Sequence, residues 1–252
     1  MLAKRVIPVL LIKNRKLIKT IKFKKDIYVG DPINAIKIFN EKEVDELIVL
    51  DISANKKKSG IDFQLISEIA KECFIPLTYG GGIKSVNQAE QLFNFGIEKL
   101  SLNNVLYQNP RIVNELSSYF GSQSIVASID IKKNWLGKYC LFDSKLNRLR
   151  NDNIVYLIQK MIKYGAGEIL LNSVDRDGCL NGPDLEIIKQ YSKDVDVPII
   201  YLGGISCLND IKNSIQSGAN AVAAGSFFIF YGPHKAVLIT YPKYNQLKNL
   251  FN

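Results

Sequence analysis

The sequence predicts an α/β fold, a single (β/α)8 TIM barrel over residues 1–252 that is built from two similar half-barrels. Eight short apolar segments alternate with segments of helical periodicity, and a repeat relates the two halves of the chain. The length of 252 residues suits such a barrel, which typically needs about 250. A hydrophobic content of 47% with 23% charged residues argues against disorder.

Eight segments rich in Val, Ile and Leu have the length of buried strands. In chain order they are residues 7–12, 46–53, 76–80, 99–103, 125–131, 168–174, 198–202 and 221–227. Helical periodicity is clearest in residues 63–72, 86–95 and 185–192. Apolar strands that alternate with helices indicate a parallel sheet covered by helices. An open doubly wound sheet is the alternative, but the first strand lacks the G-x-G-x-x-G turn that favours dinucleotide binding.

The two halves of the chain are related by an offset of 122 residues, as from Glu46 to Glu168. Both halves have the order proline, apolar strand, Gly-Gly-Ile, helix, glycine and strand. The matching positions include Pro76 with Pro198, Tyr79 with Tyr201, Gly81-Gly82 with Gly203-Gly204, and Asn103-Asn104 with Gly225-Ser226. A period this long is not that of a solenoid. It is the pattern that two similar half-barrels would produce.

The net charge of +9 comes largely from lysine, with seven basic residues between Lys13 and Lys25 and a second run at residues 56–58. Such runs are usually solvated faces, and the functional alternatives are steering of a phosphorylated substrate or docking of an acidic partner. Nucleic acid is a weaker alternative because no known binding module accompanies the charge.

The residue types that usually hold metals are sparse. None of the four cysteines forms a C-x-x-C pair and there is one histidine, so no metal or organic cofactor is expected. The N-terminus shows no signal peptide and the longest apolar run is too short for a bilayer, which predicts a cytoplasmic protein without a membrane partner.

Two glycine-rich turns follow predicted strands three and seven, at Gly81-Gly82 and Gly203-Gly204. Glycines let backbone N–H groups approach an anion closely, and a following helix N-terminus favours negative charge. Asn103-Asn104 after strand four and Gly225-Ser226 after strand eight could complete each cradle. Although glycines can simply shape turns, two pairs in matching positions predict two phosphate sites that face each other across the barrel mouth.

Aspartates stand at the ends of three predicted strands. Asp130 ends strand five, where a carboxylate faces the mouth of a barrel and can act as a general acid or base. Asp51 on strand two and Asp177-Gly178 after strand six are expected at similar heights. For Asp130 the alternative is a structural aspartate that caps the next turn, and Asp177-Gly178 alone is a weak turn signal.

Four charges of both signs stand where strands begin. Glu46, Lys99 and Glu168 open their predicted strands and Arg5 directly precedes the first, so all four are expected at the opposite, lower opening of the barrel. From spacing alone a stabilising ring of ion pairs is favoured, because residues at that end usually serve stability.

Together these residues resemble the cyclase subunit of imidazole glycerol phosphate synthase, and the resemblance covers nearly the whole chain. It is carried by the motifs Met1-Leu2-Ala3-Lys4-Arg5-Val6-Ile7-Pro8, Gly30-Asp31-Pro32, Asp45-Glu46-Leu47, Gly80-Gly81-Gly82-Ile83, Phe120-Gly121-Ser122-Gln123 and Asp175-Arg176-Asp177-Gly178, and by residues 99–103 and 165–171. The resemblance implies a glutaminase partner below the barrel, whose ammonia passes through the barrel to a phosphate-bearing substrate at the top. It also implies that the four charges form the gate at the ammonia entrance and that Lys19, in a mobile loop, faces the substrate.

The chain departs from the family at one catalytic position. The family uses two catalytic aspartates, at the ends of strands one and five; Asp130 matches the second, but Leu11 stands at the first. Asn104 and Asn172 stand where the family usually has threonine. Leucine cannot exchange a proton, and loss of a general acid or base typically costs about 10²–10⁴-fold.

One branch of the family fits this pattern. Its members resemble the cyclase but belong to surface-polysaccharide pathways, where a glutaminase-like partner and a third amidotransferase protein help convert an acetamido into an acetamidino group. Residues 230–242 resemble that branch, and His234 within them is most simply a surface or capping residue.

Four hypotheses follow. The first is an ammonia-using lyase-type synthase subunit in sugar amidination. The second is an authentic histidine-pathway cyclase, in which Asp51 or Asp177 replaces the missing carboxylate. The third is a non-catalytic protein that activates the glutaminase and conducts ammonia. The fourth is a related phosphoribosyl isomerase, which also needs the aspartate on the first strand.

Overall fold

The structure, a computed structural model, describes residues 4–54, 60–193 and 195–251. Eight parallel strands pair in sequence order, and the last pairs with the first, so that they form a closed ring. They are β1 (Arg5–Lys13), β2 (Leu47–Asp51), β3 (Leu77–Gly80), β4 (Lys99–Leu102), β5 (Ile125–Lys133), β6 (Glu168–Ser173), β7 (Ile199–Leu202) and β8 (Ala221–Ala224). The predicted (β/α)8 barrel is therefore confirmed.

Helices connect the strands and cover the outside of the barrel. They are Pro32–Glu41, Phe63–Glu72, Val86–Asn94, Val105–Gln108, Ile112–Phe120, Ile154–Lys163, Leu185–Tyr191, Leu208–Gln216, Ser226–Ile229 and Tyr244–Phe251, with a 3-10 turn at Ser122–Ser124. Several begin at a side chain that caps the first turn: the Asp31 and Asp62 carboxylates and the Ser85 hydroxyl each accept a backbone N–H three residues later. These caps fix where the helices start behind each strand.

Alternate residues of each strand face opposite sides of the sheet, which gives the barrel two cores. The large outer core packs strand side chains such as Val6, Tyr79 and Leu100 against the helices. A smaller core fills the centre of the barrel with eight buried residues: Ile7, Val9, Ile48, Val126, Leu170, Ile200, Ala221 and Ala223. Leu11, Leu50 and Leu202 pack on this inner core from above.

Several predicted boundaries need correction. Residues 221–227 are not one strand, because Gly225 adopts helical backbone angles and Ser226–Ile229 is a helical turn. Glu46 directly precedes β2 rather than opening it, and Arg5 opens β1 rather than preceding it. The basic run at residues 56–58 and the first three residues of the N-terminal motif lie outside the described residues.

Three hairpins were not predicted. Strands Lys16–Ile21 and Lys25–Gly30 extend β1 over the barrel mouth, Tyr139–Asp143 and Arg148–Arg150 extend β5, and Phe230–Tyr231 pairs with Ala236–Val237. Lys19 therefore lies in a strand and not in an irregular loop. His234 is exposed in the turn of the third hairpin. Among the helices of the described residues, none has the length and hydropathy that a bilayer crossing requires.

Candidate functional site

A cavity of about 470 Å³ opens at the carboxyl ends of the barrel strands. Every residue predicted for the upper site lines it: Lys19, Asp51, Gly81, Gly82, Asn103, Asn104, Asp130, Asn172, Asp177, Gly178, Gly203, Gly204, Gly225 and Ser226. Leu11 is part of the same lining. Residues that are distant in sequence thus meet at one end of the barrel, where enzymes of this fold place their active sites.

The two glycine pairs adopt backbone conformations that L-residues rarely occupy. Gly81 and Gly82 have φ of 137° and 73°, and Gly203 and Gly204 have nearly the same values, 128° and 80°. A Cβ at Gly81 would lie 2.5 Å from the carbonyl oxygen of Asp51. The two turns therefore share one shape that requires glycine, as an internal repeat with a common purpose would produce.

Asp130 is buried, 3% exposed, and both of its oxygens accept an amide hydrogen. Asn172 Nδ2 donates to Oδ1 at 2.9 Å, and Asn103 Nδ2 donates to Oδ2 at 3.1 Å. Burial raises the pKa of Asp130 to about 7, while the two amide donors act in the opposite direction. A carboxyl with this pKa can both accept and release a proton near neutral pH.

Lys19 is fully enclosed beside β1 and β8. Its ammonium donates to the carbonyl of Val9, and a Cβ on Gly225 would lie 2.5 Å from Nζ, so the amine stands against the second glycine cradle. Desolvation lowers the pKa of Lys19 to about 7, partly offset by the charge of Asp177. This lysine can contact an anion held beside Gly225.

Asp177 fastens the first hairpin over the mouth. Its Oδ2 accepts from Thr20 Oγ1 at 2.7 Å and from the Phe23 backbone N–H at 3.1 Å, and its carbonyl accepts from the Lys22 N–H at 3.0 Å. Burial raises the pKa of Asp177, and these hydrogen bonds oppose the rise. The carboxylate is thus occupied in holding the hairpin.

Asp51 caps a turn. Its Oδ1 accepts from the Ser53 N–H at 2.8 Å, the Ser53 hydroxyl at 2.6 Å and the Ala54 N–H at 3.1 Å. Asp51 therefore makes the contacts of a structural aspartate that caps a turn. Asn104, unlike Asp51, is not engaged through its side-chain oxygen: its buried Oδ1 has no hydrogen-bond partner among the described residues.

The opposite end of the barrel carries the four predicted charges in one ring. Arg5 donates to Glu46 at 2.6 Å and to Glu168 at 2.7 Å, while Lys99 Nζ lies 3.1 Å from Glu46 and 3.3 Å from Glu168. Each carboxylate contacts both cations, so the charges alternate around the ring. The Thr78 hydroxyl donates to Glu46 Oε1 at 2.8 Å from inside the barrel.

Sequence reasoning missed three buried hydroxyls between the two ends. Thr78, Ser101 and Ser128 lie on the adjacent strands β3, β4 and β5 and face the barrel interior. We call them the hydroxyl stripe. Alternation could have revealed it, because Ser101 stands midway between Lys99 of the ring and Asn103 of the cavity, and Ser128 precedes Asp130 by two residues.

The pKa shifts of Asp130 and Lys19 predict opposite dependences of folding stability on pH. Raising the pKa of Asp130 from 3.8 to about 7 means that the folded state binds the proton more tightly, so stability falls as pH rises through that interval. Lowering the pKa of Lys19 from 10.5 to about 7 means that stability rises with pH between those values. Each contribution is on the order of 4–5 kcal/mol at most.

Urea unfolding from pH 4.5 to 10 tests both slopes. We expect Asp130→Asn to flatten the curve below about pH 7, and the similarly shaped Lys19→Met to flatten it above about pH 7. Equal slopes in the wild type and in both variants would contradict these assignments.

Comparison with known proteins shows similarity to one family along nearly the whole chain. The family described as "Histidine biosynthesis protein" matches residues 5–234. A Leptospira interrogans protein, provisionally named imidazole glycerol phosphate synthase subunit HisF, is 46% identical over 253 residues that cover 100% of each chain. A Pseudomonas aeruginosa protein with the provisional name of that synthase's subunit hisF2 is 46% identical, covering 98% of this chain and 99% of its own. A Campylobacter jejuni protein of the same provisional name is 39% identical over 91% of each.

Proposed function

Because the chain belongs to the histidine biosynthesis protein family and is similar throughout its length to HisF-type subunits, we propose that it is a cyclase-like synthase subunit. As a single domain it receives ammonia from a glutaminase partner at the ring of charges. It adds that ammonia to a phosphorylated substrate in the upper cavity. The product serves amidination of a surface-polysaccharide sugar, together with a third amidotransferase protein.

The observation that carries the proposal is the position of two matching glycine turns and Asp130 in one cavity, above a ring of four charges at the other end of the same barrel. Two anion cradles on opposite walls fit a substrate with a phosphate at each end. Asp130 lies near the carboxyl end of β5, which stands in the ring of strands between those that carry the two cradles. Lys19 supplies positive charge at the second cradle.

The path for ammonia is supported by the ring and the hydroxyl stripe. The ring is electrically balanced and largely buried, which suits the passage of a neutral molecule better than that of an ion. The stripe offers hydrogen-bonding groups along one wall, from Glu46 through Thr78 towards Asp130, while Leu170 and Ile200 keep the opposite wall apolar. A small neutral amine can satisfy its hydrogen bonds along such a wall.

Two exposed aromatic side chains support docking of a protein at the ring. Phe74 precedes β3 and Tyr119 lies in the last turn of the helix before β5, so both stand at the end of the barrel that carries the ring. They are 84% and 74% exposed. Exposed aromatic groups around a functional opening are typical anchors of protein interfaces.

Leu11 favours amidination over histidine-pathway cyclisation. Neither aspartate considered as a replacement is free, since Asp51 caps a turn and Asp177 holds the first hairpin. Leu11 also packs on the inner core with Leu50 and Leu202, so the cavity floor is apolar where the family has a carboxylate.

Leu11→Asp tests this distinction. With the histidine-pathway intermediate and an ammonium salt, we expect slow turnover by the wild type and a gain of at least about tenfold by Leu11→Asp, part of what a general acid or base contributes. Leu11→Asn is the matched control, because it introduces polarity without a titrating carboxyl and should give no gain. Rapid production of imidazole glycerol phosphate and AICAR by the wild type would instead support the histidine-biosynthesis alternative.

The proposed pathway is tested by deleting the gene and measuring acetamidino groups in the surface polysaccharide by mass spectrometry. We expect the deletion to remove these groups and the wild-type gene to restore them. Histidine auxotrophy with unchanged polysaccharide would contradict the proposal.

A further inference from the structure

Asp130 is held from two sides by amide groups, one of which departs from the family. β6 lies in register with β5, so Asn172 stands directly opposite Asp130 and donates to its Oδ1 at 2.9 Å. Asn103 donates to Oδ2 at 3.1 Å from β4 on the other side. The carboxyl therefore accepts hydrogen bonds from both of its neighbouring strands.

The orientation of Asn103 is itself fixed. Its Nδ2 also donates to the carbonyl of Ser128 at 3.0 Å, and its Oδ1 accepts from the Ser144 hydroxyl at 3.4 Å. With its oxygen occupied in this way, Asn103 presents its amide hydrogens to Asp130. Asn172 is buried and directs the same kind of group from the opposite side.

A buried carboxyl would be held in its protonated form without such donors. Burial disfavours a charge, whereas hydrogen bonds to the charged form favour it. Leu11 stands at the position of the first catalytic aspartate, Asp51 and Asp177 are occupied elsewhere, and Asp26 is paired with Lys13. Asp130 therefore has to exchange protons without a second free carboxyl among the described cavity residues.

We propose that Asn172 is a positioning residue: with Asn103 it orients the Asp130 carboxyl and stabilises its charged form, so that this one group can both accept and return a proton. Its use in catalysis rests on the proposed function. The effect of Asn172 on Asp130 does not, because it is a property of the protein without substrate or partner.

The test is a titration of the full chain carrying 13C in its aspartate carboxyl groups, followed by NMR. The Asp130 signal is assigned by its absence from Asp130→Asn. In the wild type we expect a midpoint near pH 7. In Asn172→Leu, which keeps the size but removes the donor, we expect the midpoint to rise by about one pH unit or more, a tenfold or greater gain in proton affinity.

Two further comparisons test whether the shift of the Asp130 midpoint comes from loss of the hydrogen-bond donor. Asn172→Thr and Asn172→Val have the same shape and differ in one hydroxyl donor, so the midpoint should be higher in the valine variant even if Asn172→Leu fails to fold. Asn104→Leu removes an amide of the same cavity that does not bond Asp130, and it should leave the midpoint unchanged. An unchanged or lower midpoint in both Asn172→Leu and Asn172→Val would overturn the inference, whatever the substrate proves to be.

Discussion

Asp130→Asn is expected to reduce ammonia-dependent amidination by about 10²–10⁴-fold, the usual contribution of a general acid or base. The amide keeps the size of the side chain but cannot take a proton. Because Leu11, Asp51 and Asp177 offer no substitute, the loss should not be rescued by neighbouring groups. The measurement is the rate of amidine formation by the assembled complex supplied with an ammonium salt.

A buried carboxyl outside the cavity serves as the matched control. Asp143 is 4% exposed and caps the turn at Lys145 and Leu146. Asp143→Asn should therefore affect stability more than turnover. If Asp130→Asn left amidination unchanged, the barrel would be a conduit and activator of the glutaminase rather than a catalyst.

Lys99→Met is expected to have the second largest effect. The substitution leaves Glu46 and Glu168 with one cation in place of two, and breaking a largely buried ion pair costs about 3 kcal/mol or more of folding stability. It also changes the balanced ring into a negative one at the proposed entrance. We expect glutamine-driven turnover to fall by about tenfold or more, while turnover driven by added ammonium is largely retained.

Comparing turnover with glutamine and with added ammonium distinguishes a role of the ring in ammonia entry from a role in folding stability. Lys99→Arg keeps the charge and should retain most glutamine-driven turnover. Urea unfolding of Lys99→Met shows whether the barrel is intact under the assay conditions. An equal loss with both nitrogen sources would show that the ring serves stability alone, as its spacing in the sequence first indicated.

The barrel could be predicted from sequence because its strands are apolar, short and regularly spaced, and because Gly81-Gly82 and Gly203-Gly204 mark the same turn in each half. The hairpins could not. Lys16–Ile21 and Lys25–Gly30 lack the alternation of a half-buried strand, and their pairing with β1 and with each other and the contacts of Asp177 are not visible in the local sequence.

The candidate site was predicted as a set of positions, but its contacts were not. Asn172 and Asp130 are 42 residues apart and meet only because the barrel sets the register of β5 and β6. Asp51, like Asp130, lies near the carboxyl end of its strand, yet Ser53 and Ala54 turn back and bind its carboxylate. The position of Asp51 in the sequence does not reveal these contacts. Closure of the barrel determines which side chains meet, and the local sequence does not contain that information.

Crystals of the protein soaked in sulfate show whether the cavity binds two anions at once. We expect one sulfate within hydrogen-bonding distance of the backbone N–H of Gly82, and a second beside Gly204 within reach of Lys19. Sulfate at neither turn, or only at exposed surface lysines, would show that the cavity does not bind a substrate with two phosphates.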